Sequence, residues 1–136
     1  MTLLEEIRAT FPALTKENRN DVQIAEVLSV NRTKLVSTMI SFGTVLRTLG
    51  PVAGAAVLDT LNAIKNSNRA LYWAWYLLEA GTLNIGELVT QLELDGLAAA
   101  GVMTADQATA LKNLAIVPNP ISVDEVSATL NTFFGV

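Results

Sequence analysis

The chain has 136 residues, 51% of them hydrophobic, and it contains no cysteine and no histidine. These absences exclude disulfides, thiolate chemistry and cysteine-bound metals, together with the commonest general base and metal ligand. The net charge is −4 and only 16% of the residues are charged, against roughly 25% in typical soluble proteins. We expect one helical domain over residues 1–136, no cofactor and no metal, and a surface that favours an oligomer or an assembly component.

The apolar stretches are too short to span a bilayer. Charged residues such as Arg47 and Arg69 interrupt the longest of them, whereas a spanning helix needs roughly 18 or more consecutive apolar residues. The start, MTLLEEIRATFP, has no basic region followed by an apolar run, which a secretory signal requires. We expect no membrane span and a protein that stays in the cytosol where it is made.

Helix start and stop signals are spaced along the whole chain. Three hydroxyl residues precede a Glu or Gln by three positions, the capping-box pattern of a helix start: Thr2, Thr104 and Ser122. Gly50 followed by Pro51 indicates one helix ending and the next beginning. Three further glycines suit left-handed helix caps: Gly81, Gly101 and Gly135.

These signals predict a mainly α fold, a compact bundle of six to eight short helices. Only the segment 34–41 has the β-branched density typical of a strand, and we expect one short extended segment there without a partner strand. The helices are expected near 2–9, 20–28, 41–49, 51–65, 67–80, 86–100, 104–115 and 122–133.

Apolar residues at helical spacing predict the core. Gly50 and Gly54, four residues apart among alanines, indicate close packing between helices, since neither the Lys-Ser/Thr of a phosphate loop nor a G-x-G-x-x-G pattern is present. The predicted core stripes are Val57, Leu58, Leu61 and Ile64, then Leu88, Leu92 and Leu97, then Leu111, Leu114 and Ala115.

The stretch IAEVLSVNRTKLVS, residues 24–37, has the spacing of a helix-turn-helix. Ser29 would stand in place of the usual turn glycine, and Asn31, Arg32 and Lys34 would begin a recognition helix that contacts DNA. Against this, the residues that follow are modest helix formers, and the charges of residues 1–50 nearly balance, whereas duplex binding needs a basic face. DNA binding by residues 21–38 is therefore an alternative and not the leading hypothesis.

The charged residues form no catalytic pattern. Glu87, Glu93, Asp95 and Asp106 share no helix face and no metal-ligand spacing. No serine or lysine lies in a recognisable nucleophile motif. We expect a non-enzyme without catalytic residues.

The stretch ALYWAWYLLEAG holds four of the eight aromatic residues of the chain: Tyr72, Trp73, Trp75 and Tyr76. At about 100° per residue these side chains cannot all face one core. Trp73 and Trp75 should therefore differ, one in the core and the other at an interface, where tryptophan and tyrosine are preferred. A helix buried on all sides and a ligand pocket are the alternatives.

Several short motifs resemble small uncharacterised helical proteins of tailed bacteriophages. They are NDVQIAEVLSVNRT, LRTLG, LDGLAAAGVMTADQATALKNLA and ISVDEVSATLN. The resemblance implies a phage origin, an assembly or interaction role, and a location in the cytoplasm of the infected bacterium or in the virion. It also implies that the chain becomes extended after Ser29.

The leading hypothesis is thus a non-enzymatic phage protein that acts through protein contacts, as a virion or assembly component or as a host-interaction factor. Its expected partner is another copy of itself or a phage or host protein, rather than a nucleic acid. Besides the helix-turn-helix alternative, an oligomeric sponge for a nucleotide signal is a second alternative, and it requires aromatic and basic residues to converge.

Overall fold

Eight α-helices make up most of the chain in the computed structural model, which describes residues 1–136. Each predicted helix is present within two residues of its expected bounds, and the mainly α fold is confirmed. None of the helices has both the length and the apolar character needed to cross a membrane. The helices are α1 (Leu3–Thr10), α2 (Asp21–Ser29), α3 (Phe42–Leu49), α4 (Pro51–Ile64), α5 (Arg69–Ala80), α6 (Leu88–Ala99), α7 (Ala105–Asn113) and α8 (Val123–Phe134).

Hydroxyl caps hold the first turns of several helices. Thr2, Thr104 and Ser122 each accept a hydrogen bond from the backbone N–H three residues on, and the Glu or Gln at that position bonds back to the cap. The three predicted capping boxes are therefore confirmed. Ser41 forms a fourth with Thr44, whose hydroxyl takes the place of the usual carboxylate or amide.

Four short strands form two two-stranded sheets: β1 (Thr33–Leu35), β2 (Met39–Ile40), β3 (Leu83–Asn84) and β4 (Ile116–Pro118). β1 pairs with β4, and β2 pairs antiparallel with β3 so that Ile40 lies opposite Leu83. The extended segment near 34–41 is present, but it divides into two strands. The expectation that it lacks a partner is wrong, since β1 and β2 pair with β4 and β3. These partner strands have only three and two residues, too few to show a strand pattern in the sequence.

The chain after α2 contradicts the helix-turn-helix alternative. α2 ends at Ser29, Asn31 adopts a left-handed φ of 57°, and the backbone then extends into β1. The next helix begins only at Phe42, so no recognition helix follows the turn. The β-branched residues of this segment favour extended backbone over helix.

The chain forms two compact units with separate hydrophobic cores. The terminal unit comprises Met1–Lys34 and Pro118–Val136, and the central unit comprises Leu35–Val117. The sequence predicted one domain over residues 1–136. That the two units unfold together as one domain stays a prediction.

Helices α1, α2 and α8 surround the core of the terminal unit. The Asp21 carboxylate, at the start of α2, accepts hydrogen bonds from Arg19 Nε at 2.9 Å and from the Ser127 hydroxyl of α8 at 2.6 Å. The hydrogen bond from Arg19 holds the pKa of Asp21 below its ordinary value. The buried core residues are Ile7, Ile24, Ala25, Ile121, Val126 and Leu130.

The central unit contains a close crossing of α3 and α4. A β-carbon on Gly54 would lie 2.9 Å from the Leu46 α-carbon and 3.0 Å from the Val45 carbonyl oxygen. The prediction of close helix packing is therefore confirmed at Gly54, whereas Gly50 provides a left-handed link with φ 93°. The buried core residues are Ile40, Val45, Val57, Leu78, Ile85, Leu94, Met103, Ala108, Leu111 and Ala115.

Candidate interaction surface

Helix α5 presents one apolar side to the core of the central unit. The Asn68 side chain starts the helix by accepting hydrogen bonds from two backbone N–H groups of the first turn, and Gly81 ends it in a left-handed conformation. Leu78 is buried on the inner side. The half-buried Trp75 ring lies there too, with its centroid 4.7 Å from that of Phe42. Trp75 is thus part of the packing of this unit.

The opposite side of α5 is apolar and exposed. Trp73, Tyr76 and Leu77, which we call the α5 face, are 56%, 46% and 46% exposed. The Tyr72 ring supports this face by edge-to-face contacts, with its centroid 5.2 Å from that of Trp73 and 5.0 Å from that of Tyr76. Trp73 and Trp75 therefore occupy different environments, as predicted. The alternative of a helix buried on all sides does not hold for the single chain.

Two cations lie on the aromatic rings of this region. The Arg69 guanidinium is 5.5 Å from the Tyr72 ring centroid and 5.6 Å from that of Trp73, and Lys65 Nζ is 4.9 Å from that of Trp75. Such cation–π contacts hold a positive charge at a ring face without neutralising it. Neither Arg69 nor Lys65 forms an ion pair, since the ion pairs of the chain are Arg19–Asp21, Arg32–Glu6 and Lys112–Asp95.

The Tyr76 hydroxyl stays protonated at the edge of the α5 face. Its oxygen is 3.5 Å from the Tyr72 hydroxyl oxygen. This neighbouring hydroxyl is the main cause of the raised pKa of Tyr76, and Glu79 adds a smaller repulsion against a phenolate. Tyr76 therefore contributes a neutral ring and a hydrogen-bonding hydroxyl to the surface.

Helix α6 buries two polar side chains beside Leu94 and exposes apolar side chains on its other side. Gln91 is buried, and its Nε2 donates to the carbonyl oxygens of Ile85 at 2.6 Å and Lys112 at 3.3 Å. Thr90 is buried on the same side. On the opposite side lies the α6 face, formed by residues that are 66%, 65% and 60% exposed: Leu88, Val89 and Leu92.

Part of the predicted core lies on the exposed side of this region. Leu88 and Leu92 were predicted in the core and are exposed, and Leu114 of the third stripe is exposed as well. Helix α6 carries two apolar stripes about half a turn apart, and periodicity alone does not distinguish them. The hydrogen bonds of Gln91 bring the stripe of Leu94 inward, so the α6 face was missed. The signal that could have revealed it is the presence of both stripes on one short helix.

Three carboxylates lie on α6 or directly before it. Glu87 precedes the helix, and Glu93 follows Leu92; neither forms an ion pair. Asp95 is neutralised by Lys112, whose Nζ lies 2.6 Å from its Oδ1. The chain has no group of three or more acidic side chains placed to hold a metal ion.

A small apolar cavity of about 50 Å³ lies among α4, α5 and α6 in the central unit. Leu61, Trp75 and Leu94 each contribute to its lining from a different helix. The cavity is smaller than the roughly 150 Å³ that an engineered core cavity needs to hold benzene. The inner sides of α5 and α6 thus line one cavity, and their outer sides remain without a partner.

The residues proposed for DNA binding do not form a basic face. Arg32 Nη1 is bound to the Glu6 carboxylate at 2.8 and 3.1 Å. Asn31 makes the left-handed turn, and Lys34 lies exposed in β1. One of the two cations is therefore paired, and no recognition helix carries these three residues.

Comparison with known proteins finds no matching family model, no similar curated protein and no similar solved structure.

Proposed function

We propose that this chain is a non-enzymatic protein that acts through protein–protein contacts made by the α5 face and the α6 face. The observation that carries the proposal is the arrangement of α5 and α6. Each helix has an inner side that lines the core of the central unit and an outer side of exposed, large apolar residues. A helix that is apolar on both sides is typical of a buried position.

The composition of the two faces supports a binding role. Burying one large apolar side chain contributes about 1.5–3 kcal/mol, and tryptophan and tyrosine are enriched among residues that dominate interface energies. Single exposed apolar residues are ordinary, but clusters of them mark interaction sites. Trp73 with Tyr76, and Leu88 with Leu92, are such clusters.

The proposal includes a bacteriophage origin, with a partner that is a second copy or a phage or host protein, in the virion or the cytoplasm of the infected bacterium. Its support is the similarity of LDGLAAAGVMTADQATALKNLA to small phage proteins. In this chain the stretch, residues 94–115, contains the second half of α6 and all of α7, and these two helices pack together.

Affinity purification of the tagged protein from infected cells tests the proposal when the retained proteins are identified, purified and bound again. We expect Trp73→Asp and Leu92→Asp to abolish binding of a purified partner. Val52→Asp is the matched control, because Val52 is 84% exposed on α4 and lies outside both faces. Equal binding by all three variants, or no retained protein at all, would contradict the proposal.

A second candidate, the nucleotide sponge, is favoured by one observation: the Arg69 guanidinium lies over the rings of both Tyr72 and Trp73. Aromatic rings stack on bases, and cations bind phosphates. Isothermal titration with cyclic nucleotides should then give binding heat that Arg69→Ala removes. The absence of heat with the wild-type chain would exclude this candidate.

A further inference from the structure

We infer that this chain forms a two-fold dimer through its α5 face, with the α5 helices of the two copies antiparallel. The inference rests on the proposed function and names a second copy as the partner of one of the two faces. The observation that carries it is the placement of two charges on α5, Arg69 in its first turn and Glu79 in its last turn.

These two charges oppose the dipole of their own helix. The amino end of a helix favours acidic residues and the carboxyl end favours basic ones. Helices α1, α2, α7 and α8 follow this preference with acidic residues in their first turns. Helix α5 has no acidic residue in its first turn and no basic residue in its last. Arg69 and Glu79 are thus placed against the local preference of α5, and a partner that pairs with both charges would offset this.

Both charges lie at the α5 face and are unpaired within the chain. The Arg69 guanidinium is 5.5 Å from the Tyr72 ring centroid and 5.6 Å from that of Trp73. Glu79 follows Tyr76 by three positions, so the two side chains are neighbours on the helix surface. Arg69 and Glu79 are exposed, and neither forms an ion pair. The α5 face therefore has a basic end, an aromatic centre and an acidic end.

A face with this order is complementary to itself after a half rotation. Arg69 and Glu79 stand about 15 Å apart along the helix axis. In an antiparallel pair with Arg69 of each copy beside Glu79 of the other, the two-fold axis passes near position 74. Trp73 of each copy then lies within about one turn of Tyr76 of the other copy.

The two-fold axis makes each favourable contact twice. Both ion pairs and both aromatic contacts form in the same arrangement. A parallel pair of α5 helices would instead bring Arg69 against Arg69 and Glu79 against Glu79, and such like-charge contacts lower affinity and suppress the wrong pairing.

Charge reversal tests this arrangement directly. Arg69→Glu alone brings carboxylates together at both ends of the contact, and Glu79→Arg alone brings cations together. In a mixture of these two variants, every cation of one chain meets a carboxylate of the other, so a one-to-one pair can form. The double variant Arg69→Glu/Glu79→Arg exchanges the two charges and is again complementary to itself. Both reversals agree with the dipole of α5, so the variants should fold.

The experiment measures mass by sedimentation and by light scattering after size exclusion, at loading concentrations from about 1 μM to about 1 mM, where weak to moderate dissociation constants lie. We expect a dimeric wild-type chain and a dissociation constant at least about tenfold higher for each single reversal. The equimolar mixture and the double variant should recover most of the lost affinity.

Two further variants keep the test interpretable. Leu92→Asp is the matched control and should dimerise as the wild type does, because the α6 face lies outside this contact. Circular dichroism confirms that each variant is folded. Should a charge reversal unfold the chain, Trp73→Ala replaces it, since Trp73 is 56% exposed and lies at the centre of the α5 face. Trp73→Ala should be monomeric.

Four results would overturn the inference. A monomeric wild-type chain would exclude the dimer, while binding of a phage or host protein in the purification experiment would leave the proposed function intact. Wild-type affinity in both single reversals would show that Arg69 and Glu79 lie outside the contact. No recovery in the mixture or in the double variant would show that the reversals do not act across a two-fold axis. A monomeric Leu92→Asp variant would show that the contact uses α6.

Discussion

Gly86 lies directly against the backbone of Val36, because a β-carbon at position 86 would be 2.0 Å from the Val36 carbonyl oxygen. The Asn84 side chain holds the two segments together: its Oδ1 accepts hydrogen bonds from the N–H of Thr38 and of Gly86, both at 2.9 Å. No side chain fits between these segments without moving the backbone.

Gly86→Ala should therefore lower the free energy of unfolding by about 3 kcal/mol, at the upper end of overpacking effects. Urea denaturation measures the change. Gly96→Ala is the matched control, since its β-carbon meets open space, and it should stabilise the protein by roughly 0.5–1 kcal/mol through helix propensity. A Gly86→Ala variant as stable as the wild type would contradict the close contact.

Trp75→Ala and Trp73→Ala should have different consequences. Trp75 packs on Phe42 and lines the cavity of the central unit, so its loss should cost about 2–4 kcal/mol. Trp73 is more than half exposed, and its loss should change stability by less than about 0.5 kcal/mol. Thermal melts of dilute protein measure both changes, and equal destabilisation would mean that Trp73 is buried within the chain.

Gln91→Leu should destabilise the central unit although the new side chain is apolar. It removes the hydrogen bonds to the Ile85 and Lys112 carbonyl oxygens. The Lys112 carbonyl still accepts from the Ala115 N–H, but a buried carbonyl without a donor, as at Ile85, costs about 1–3 kcal/mol. Gln23→Leu, at an exposed position on α2, should have little effect in the same denaturation assay. A Gln91→Leu variant as stable as the wild type would show that packing, and not these hydrogen bonds, orients α6.

A fall in pH should lower the stability of the terminal unit, because the Asp21 carboxylate becomes protonated. Its pKa in the folded protein lies below the ordinary 3.8, chiefly because Arg19 donates to its carboxylate. The folded state then binds fewer protons than the unfolded state, so the stabilisation is present above about pH 4 and is lost as the pH falls through the folded-state pKa.

Asp21→Asn should accordingly cost about 1 kcal/mol at pH 7, with a difference from the wild type that shrinks as the pH falls below 3.8. Stability measured by urea denaturation between pH 7 and pH 2 checks this. Asp59→Asn, which removes an exposed carboxylate without an ion pair, is the control. A difference that stays constant with pH would contradict the role of the Asp21 charge.

The two units should unfold in one transition. Within the central unit, Val36 N–H donates to the Ala115 carbonyl at 2.8 Å, which brings together the two points from which the stretches of the terminal unit depart. Folding of the central unit thereby lowers the entropic cost of bringing the two stretches of the terminal unit together. Both tryptophans lie in the central unit, so tryptophan fluorescence and circular dichroism should give one midpoint. Two midpoints would contradict the single-domain prediction.

The sequence by itself determined the helices and half of the candidate surface. Capping boxes and helix-ending glycines act within one turn, so the position of α7, for example, follows from Thr104 and Gln107. The different environments of the Trp73 and Trp75 side chains follow likewise from the angle of about 100° between successive positions on a helix. These features depend on residues at most a few positions apart.

Only the tertiary structure decided which stripe of α6 is exposed, which segments pair as strands, and where Gly86 is required. Each depends on contacts between residues far apart in the chain: Gln91 with Lys112, Ile40 with Leu83, and Gly86 with Val36. Local periodicity carries no information about such partners. The α6 face therefore depends on the tertiary structure, because the hydrogen bonds of Gln91 to distant carbonyls place one apolar stripe of α6 against the core and leave the other exposed.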